Sequence, residues 1–271
     1  MENSNLYVDE TGAALYDIAF DWRRNAEADF LEECIDAYGG AKGAVLDIAC
    51  GTGNFLEEML ARGWSIAGVD SSPQMLSLAK ARLGSDTPLV TACMSRFTPP
   101  SKFDAATCWL NSLTYLLTNE DIIRHFRCTA SALKHGGLYL LDISFGLWAE
   151  PFWHQPSCDW KPDFTGGWSV SRDDAVVYHD GCDGPPCDYL SHLATEYMYF
   201  RVTKGGSKKV DEYCYKTLKR TLHPQEFAAL VSASGVFDLV EWFTGKFDLT
   251  QKLDIAEGKG RALVLLRKIS R

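Results

Sequence analysis

The chain reads as an α/β protein: a Rossmann-like, seven-stranded, mostly parallel sheet with helices on both faces and an antiparallel insertion after the fifth strand. Three observations predict this. From Ala44 to Ile143, short apolar runs alternate with stretches of helical period, the pattern of β-α-β units. The first run passes into a glycine turn, Asp47-Ile48-Ala49-Cys50-Gly51-Thr52-Gly53, and the second ends in Asp70. Beyond Phe145 the helical period vanishes, and β-like stretches take over at Ala175 to Tyr178, Tyr197 to Thr203 and Val210 to Leu218.

Thr11 to Tyr38 has helical spacing (Leu15, Ile18, Ala19 and Trp22, then Phe30, Leu31, Cys34 and Ile35) and stops at Gly39-Gly40. A buried strand, Ala44 to Ile48, leads through the glycine turn into a helix. That helix carries Phe55, Leu56, Met59 and Leu60 inward and ends at Gly63. The strand Ser65 to Val69 delivers Asp70. Ser72 as N-cap and Pro73 at the first helical position open the next helix. A third strand is predicted near Leu89 to Ala92, and a fourth, Phe103 to Leu110, runs into Asn111-Ser112-Leu113-Thr114-Tyr115. Asn119-Glu120-Asp121 suits a helix N-terminus, and that helix reaches Gly136-Gly137 before a fifth strand, Leu138 to Ile143. After the insertion, a helix (Pro224 to Ala233) and strands at Phe237 to Thr244 and Ala262 to Arg267 complete the sheet. The expected organisation is an N-terminal helical segment (1–41), a nucleotide-binding core (42–145), an antiparallel substrate-side insertion (146–218) and a C-terminal completion of the sheet (219–271).

Composition narrows the function. The 271 residues are 46% hydrophobic, ordinary for a globular chain with a sizeable core. A net charge of −9 repels phosphates over long range, and no basic run offsets it; Lys204 to Lys209 is broken by glycines and reads as a hairpin turn. Nucleic acid is therefore disfavoured as a partner. Met1 to Glu10 has no signal-peptide pattern, and no apolar run reaches the length of a membrane span. Nine cysteines in that context point to free thiols and a cytoplasmic location. Cys34, Cys93, Cys108 and Cys128 read as small buried hydrophobes. Cys182 and Cys187 could hold a metal or close a disulfide, or be incidental thiols in a Gly/Pro-rich loop. With no second ligand pair, no metal site is predicted.

In a parallel sheet the first two strand ends lie side by side, where open α/β sheets bind nucleotides. Gly51 and Gly53 let the backbone turn tightly and let a ligand approach. Asp70 is then placed to accept hydrogen bonds from both hydroxyls of a ribose. The dinucleotide fingerprint G-x-G-x-x-G fails at its third glycine, which is Leu56, a side chain that opposes the close helix–strand approach of a pyrophosphate site.

Val45 to Asn54 together with Asp70 resemble motif I and the acidic second-strand end of class I S-adenosylmethionine (SAM)-dependent methyltransferases. Asn111-Ser112-Leu113-Thr114-Tyr115-Leu116 is similar to the small-molecule branch of sugar-amine and glycine N-methyltransferase type. It is unlike the Asn/Asp-Pro-Pro-Tyr turn of enzymes acting on exocyclic or amide nitrogens. The resemblance covers residues 42–145 and, more loosely, 219–270. It implies SAM as cofactor and a small polar acceptor, methylated at nitrogen rather than oxygen. By the same resemblance, Asp47 holds the glycine loop and the methionine amino group, and Ala49, Gly51 and Gly53 present backbone to the methionine. Asp70 takes the ribose, with Ser71 and Met75 flanking the adenine. Ala92 to Phe97 matches a Gly-Asp-Met-x-x-Phe segment in which Cys93 replaces the adenine-binding Asp, leaving the Met94 N–H for a ring nitrogen. Leu110, Asn111 and Ser112 border the methionine and its methyl.

Methyl transfer from a sulfonium is an in-line displacement that needs no protein nucleophile, and alignment alone supplies about 7–11 kcal/mol. A base assists a protonated or hydroxyl acceptor. His154, in the aromatic loop Trp148 to Trp160, is the first candidate; its alternative is a surface loop histidine. Tyr16 and Trp22 lie on the first helix, a lid in relatives, or simply pack that helix. Tyr115 could direct its hydroxyl at the acceptor or fill the core, and His223 could be a base or a plain loop residue before a helix. Aromatics of the insertion, Trp168, Tyr178, Tyr197 and Tyr199 among them, could enclose a cationic amine or fill a core. A non-catalytic SAM or S-adenosylhomocysteine binder and a nicotinamide-dependent oxidoreductase remain as alternatives, the latter opposed by Leu56. Neither the acceptor nor the oligomeric state is written in the sequence.

Overall fold

The computed structural model describes residues 5–22, 24–145, 168–172, 175–183, 191–204, 209–254 and 260–269. The chain divides into two compact units, Met1–Trp22 with Trp148–Thr221, and Arg23–Leu147 with Leu222–Arg271.

The larger unit is built on strands β1 (Ala44–Ile48), β2 (Ser65–Asp70), β3 (Leu89–Thr91), β4 (Phe103–Cys108), β5 (Leu133–Phe145), β10 (Phe237–Thr244) and β11 (Gly260–Lys268). They form one sheet in the order β10-β11-β5-β4-β1-β2-β3. β1 to β5 pair in parallel, and β11 runs antiparallel between β5 and β10. Both faces are apolar, so successive strand residues enter opposite cores. Val45, Ala105, Leu140 and Leu263 pack with α2 (Asn25–Tyr38), α3 (Asn54–Ala61) and α4 (Pro73–Leu83). Leu46, Ala106, Leu141 and Val264 pack with α5 (Asn119–Ala132) and α6 (Pro224–Ser234). That continuous apolar character is what a strand covered on both faces requires.

In the smaller unit, β6 (Trp168–Arg172), β7 (Ala175–Asp183), β8 (Leu193–Lys204) and β9 (Val210–Arg220) form an antiparallel sheet in chain order. A 3-10 turn (Leu6–Val8) and α1 (Glu10–Ala19) belong with it. Tyr215 of β9 donates its hydroxyl to Asp9 at 2.6 Å, and the same carboxylate caps α1 by accepting the Gly12 N–H at 3.0 Å.

The structure departs from the sequence reading in three places. The helical stretch Thr11 to Tyr38 is two helices, α1 and α2, because the chain turns at Phe20, whose carbonyl accepts the Trp22 N–H at 3.0 Å. β5 begins at Leu133 instead of Leu138: Gly136 (φ +68°) and Gly137 lie within the strand, at a shift of the β4–β5 register. β6 was not anticipated. Cys182 lies within β7 and Cys187 outside the described residues. Among the described residues no cluster of His, Cys, Asp or Glu could hold a metal, and no helix is long and apolar enough to cross a membrane.

Candidate functional site

The strand order reverses at β1, so the crevice over the C-terminal ends of β4, β1 and β2 is the place where open sheets bind ligands. At its β2 side, Asp70 accepts the Gly51 N–H with Oδ2 at 2.8 Å and the Ser72 N–H with Oδ1 at 2.8 Å. Burial pushes this carboxyl above its usual range, and the Ser72, Gly51 and Ser71 amides pull it part of the way back. Gly51 has φ +55°, and a Cβ there would meet nothing within 4 Å, so the loop opens on free space. Gly53 (φ +83°) is crowded instead, its would-be Cβ lying 3.0 Å from Leu83 and 3.3 Å from Ala79. Ala49 shares the left-handed conformation at φ +58°. Ser71 is exposed at this rim, whereas Met75 is buried and donates its N–H to the Ser72 cap at 3.0 Å.

Asp47 lies buried in β1 and accepts the Thr107 hydroxyl of β4 at 2.7 Å. Burial raises its pKa to about 7; the Thr107 bond and the Arg24 charge oppose that rise, while Asp70 adds to it. Arg24 is itself buried and paired with Glu27 at 2.8 Å. The sequence reading missed Arg24. Its trace is slight, a basic residue three before an acid where an apolar helix begins.

At the β4 tip, Leu110 (φ +54°) and Asn111 (φ +61°) are both left-handed without being glycine. The Leu110 N–H donates to Asp142 Oδ2 at 3.0 Å, the Asn111 N–H to the Asp142 carbonyl at 3.1 Å, and the Ser144 N–H to Asn111 Oδ1 at 3.0 Å. Ser112 occupies the Trp109 carbonyl and Thr114 the Asn111 carbonyl. The Leu110 carbonyl between them accepts no donor among the described residues. Asp142 and its partner Arg261, at 2.7 Å on both oxygens, were also missed.

Beyond β3, Cys93 is exposed, correcting its reading as a buried hydrophobe, and its Sγ lies 3.3 Å from Ser95 Oγ. Cys128 is only partly buried, whereas Cys34 and Cys108 are buried as expected. The Met94 carbonyl meets His125 Nδ1 at 3.0 Å, and His125 Nε2 meets the Tyr139 hydroxyl at 2.6 Å. A carbonyl only accepts, so Nδ1 carries the proton and Nε2 accepts from Tyr139. Burial lowers the His125 pKa to about 4 against the Met94 bond.

Of the catalytic candidates, Tyr115 and His223 belong to the larger unit and Tyr16 to the smaller. Tyr115 ends the 3-10 turn Ser112–Tyr115 and is half-buried. Tyr16 belongs to the smaller unit, stacked on Phe20 at 4.2 Å and edge-on to Tyr7 at 6.1 Å. Tyr197 and Tyr199 lie parallel at 6.3 Å on β8, with the Lys216 ammonium 5.5 Å from the Tyr197 ring. His223 is exposed at the start of α6. His154, Trp148, Phe152, Trp153 and Trp160 lie outside the described residues.

Residues 45–137 match a family model described as a methyltransferase domain. The methyltransferase-family protein YqeM of Bacillus subtilis (strain 168) is 32% identical over 175 residues, 62% of this chain and 69% of that protein. The dTDP-3-amino-3,4,6-trideoxy-alpha-D-glucopyranose N,N-dimethyltransferase of Streptomyces venezuelae is 29% identical over 226 residues, 81% and 85% of the two chains. A glycine/sarcosine N-methyltransferase of Parasynechococcus marenigrum (strain WH8102) is 31% identical over 134 residues, 47% of each. The fold is shared with an S-adenosylmethionine-dependent methyltransferase from Clostridium acetobutylicum ATCC 824, at TM-score 0.70 and 22% identity over 95% and 97% of the chains. The chain therefore belongs to the methyltransferase family. It is an S-adenosylmethionine-dependent enzyme.

The donor set fits that cofactor. An open glycine turn, a carboxylate at the second strand end and buried groups of both signs suit a nucleoside that carries an amino acid. Leu56 is fully buried and would stand 3.0 Å from a Cβ on Gly68, which fills the approach a pyrophosphate loop keeps clear.

Proposed function

We propose that this enzyme transfers a methyl group from SAM to the amine nitrogen of a small polar acceptor, with amino sugars carried on a nucleotide as the favoured class. One observation supports the cofactor placement above the rest: buried Asp47, on which the Arg24 charge acts, precedes a glycine turn that is tied to Asp70 through the Gly51 N–H. The lone pairs of Asp70 not used by Gly51 and Ser72 take the ribose hydroxyls. Asp47 and the Leu110 carbonyl receive the methionine ammonium, Arg24 its carboxylate, and the Ala49, Gly51 and Gly53 backbone lies along the chain between them. Ser71 and Met75 flank the adenine, and the Met94 N–H and Cys93 meet its edge.

Bound SAM supplies an activated methyl on a sulfonium. The residues of this chain hold and orient, so alignment is their main contribution. Asn111 is fixed by Ser144 and stiffens the β4 tip beside the reacting centre. Tyr115, four residues on, is the candidate in this unit for directing its hydroxyl at the acceptor. The amino-sugar class rests on the relative whose similarity spans 81% of the chain, against 47% for the glycine/sarcosine enzyme. A charge of −9 disfavours nucleic acid as the acceptor.

Calorimetry with SAM, S-adenosylhomocysteine and NAD, followed by label transfer from methyl-tritiated SAM to dTDP-amino sugars, glycine, sarcosine and a catechol, tests the reading. Binding of the first two ligands and labelling of an amine support it. Absence of SAM binding overturns it, and binding with no transfer to any acceptor leaves a SAM-binding protein in its place.

A further inference from the structure

We propose that Asp142 and Arg261 are a positioning pair that locks the β4 tip in its left-handed form, so that the tip meets the amino-acid end of the bound nucleoside. The inference rests on the reading given under Proposed function. Two consecutive left-handed residues that are not glycine cost roughly 1–3 kcal/mol each, and persist only where their surroundings over-determine them. Here one residue does so twice. Asp142 takes the Leu110 N–H on its side chain at 3.0 Å and the Asn111 N–H on its backbone carbonyl at 3.1 Å.

Asp142 needs a partner to do this, because it is only 2% exposed. Arg261 supplies two parallel bonds, Nε to Oδ1 and Nη2 to Oδ2, both at 2.7 Å. That fork fixes the carboxylate plane, which a lysine ammonium would not do. The guanidinium is held in turn: its carbon lies 5.1 Å from the Phe247 ring centre, and Gly245 leaves it room, since a Cβ there would stand 2.7 Å from Arg261 Cγ. The Glu27 charge also favours the guanidinium, Glu27 pairs with Arg24, and Arg24 attracts Asp47. Charges of alternating sign thus run from the β1 acid to the β5 acid behind the crevice.

The amino-acid end of the ligand is assigned to this tip by topology. Asp70 holds the sugar at β2, on one side of β1, and β4 lies on the other side. Thr107 ties β4 to Asp47 three residues before Leu110, so the strand below the tip is already fixed. What remains adjustable is the peptide between Leu110 and Asn111, whose Leu110 carbonyl has no internal donor among the described residues. Asp142 and Arg261 set that peptide.

The test is calorimetry on the full chain carrying Asp142→Asn, Arg261→Lys or Arg261→Ala, each checked for folding by circular dichroism. The probes are SAM and 5′-methylthioadenosine, which keeps the nucleoside and lacks the amino acid. In folded Asp142→Asn and Arg261→Lys, SAM binding is expected to weaken about tenfold while 5′-methylthioadenosine stays within twofold. Added methylguanidine should restore SAM affinity to Arg261→Ala and leave Arg261→Lys unchanged. If SAM affinity is unaltered in folded Asp142→Asn, or both ligands weaken in parallel, the positioning role is overturned and the reading under Proposed function stands. If the wild-type chain binds neither ligand, that reading falls and this one falls with it.

Discussion

The two oxygens of Asp70 hold the Gly51 and Ser72 amides at 2.8 Å each, so one side chain closes the loop after β1 and starts the helix after β2. A sugar at this carboxylate therefore meets an acid already fixed in place. On the proposed placement, Asp70→Ala removes the sugar contact and loosens the loop together. With charge-assisted hydrogen bonds worth about 1.5–3 kcal/mol each, SAM affinity should fall roughly a hundredfold or more, and Asp70→Asn should lie between. Calorimetry at fixed pH measures it.

With Asp47 at the ligand ammonium, as proposed, SAM binding should depend on pH. Its folded pKa, about 7, lies above the ordinary 3.8, so the protonated form favours the empty fold and that stability is lost as pH rises through about 7. A ligand ammonium needs the carboxylate and pulls its proton off. SAM affinity should therefore increase from pH 6 to pH 7 and level above it, until the ligand's own amine begins to deprotonate near roughly pH 8. Asp47→Asn should bind weakly and lose the rise on the acid side. Titrations in buffers of different ionisation enthalpy would show proton release on binding for the wild type alone.

His125 sets an acid limit on the fold. Its pKa is about 4 when folded against an ordinary 6.5, so its contribution is complete above pH 6.5 and is lost as pH falls towards 4. Between pH 7 and pH 5 this one group removes about 2 kcal/mol of stability. Urea unfolding at the two pH values should show the loss, and His125→Gln, which cannot gain the proton, should show much less of it.

The two loop glycines should fail in different ways. Gly53→Ala combines a left-handed residue with contacts at 3.0 and 3.3 Å, so it should lower stability by about 1–2 kcal/mol or more. Gly51→Ala meets no neighbour, but its methyl stands in the space left to the ligand. It should lower SAM affinity by a larger factor than Gly53→Ala does, with the smaller change in melting temperature. Thermal melts with and without SAM separate the two.

How far the sequence could be read is clearest in a repeated triplet, Leu-Asp-Ile, at 46–48 and again at 141–143. A glycine turn directly after it marks Asp47. Nothing local marks Asp142, and its partner Arg261 is 119 residues away. Strands covered on both faces show as apolar runs, so the sheet was legible, down to the bounds of β10. The division of the first helix was not, because Phe20 to Arg24 mix apolar, acidic and basic residues in a way that either outcome tolerates. Gly136-Gly137 misled for a related reason: a glycine pair that usually stops an element here lets a strand shift register. At the site, residues tied to the turn were visible, while Thr107, His125 and Arg24, set by contacts between elements distant in sequence, needed coordinates.

The placement of β11 between β5 and β10 has a consequence during synthesis. When the ribosome has released β5, one long edge of that strand and the Asp142 carboxylate still lack their neighbours. Both are supplied by a segment made more than a hundred residues later. Until it docks, the nascent chain exposes a bare edge that invites pairing with other molecules. Completion of the β4 tip thus coincides with the docking of β11, and chaperone demand should peak in the interval before it.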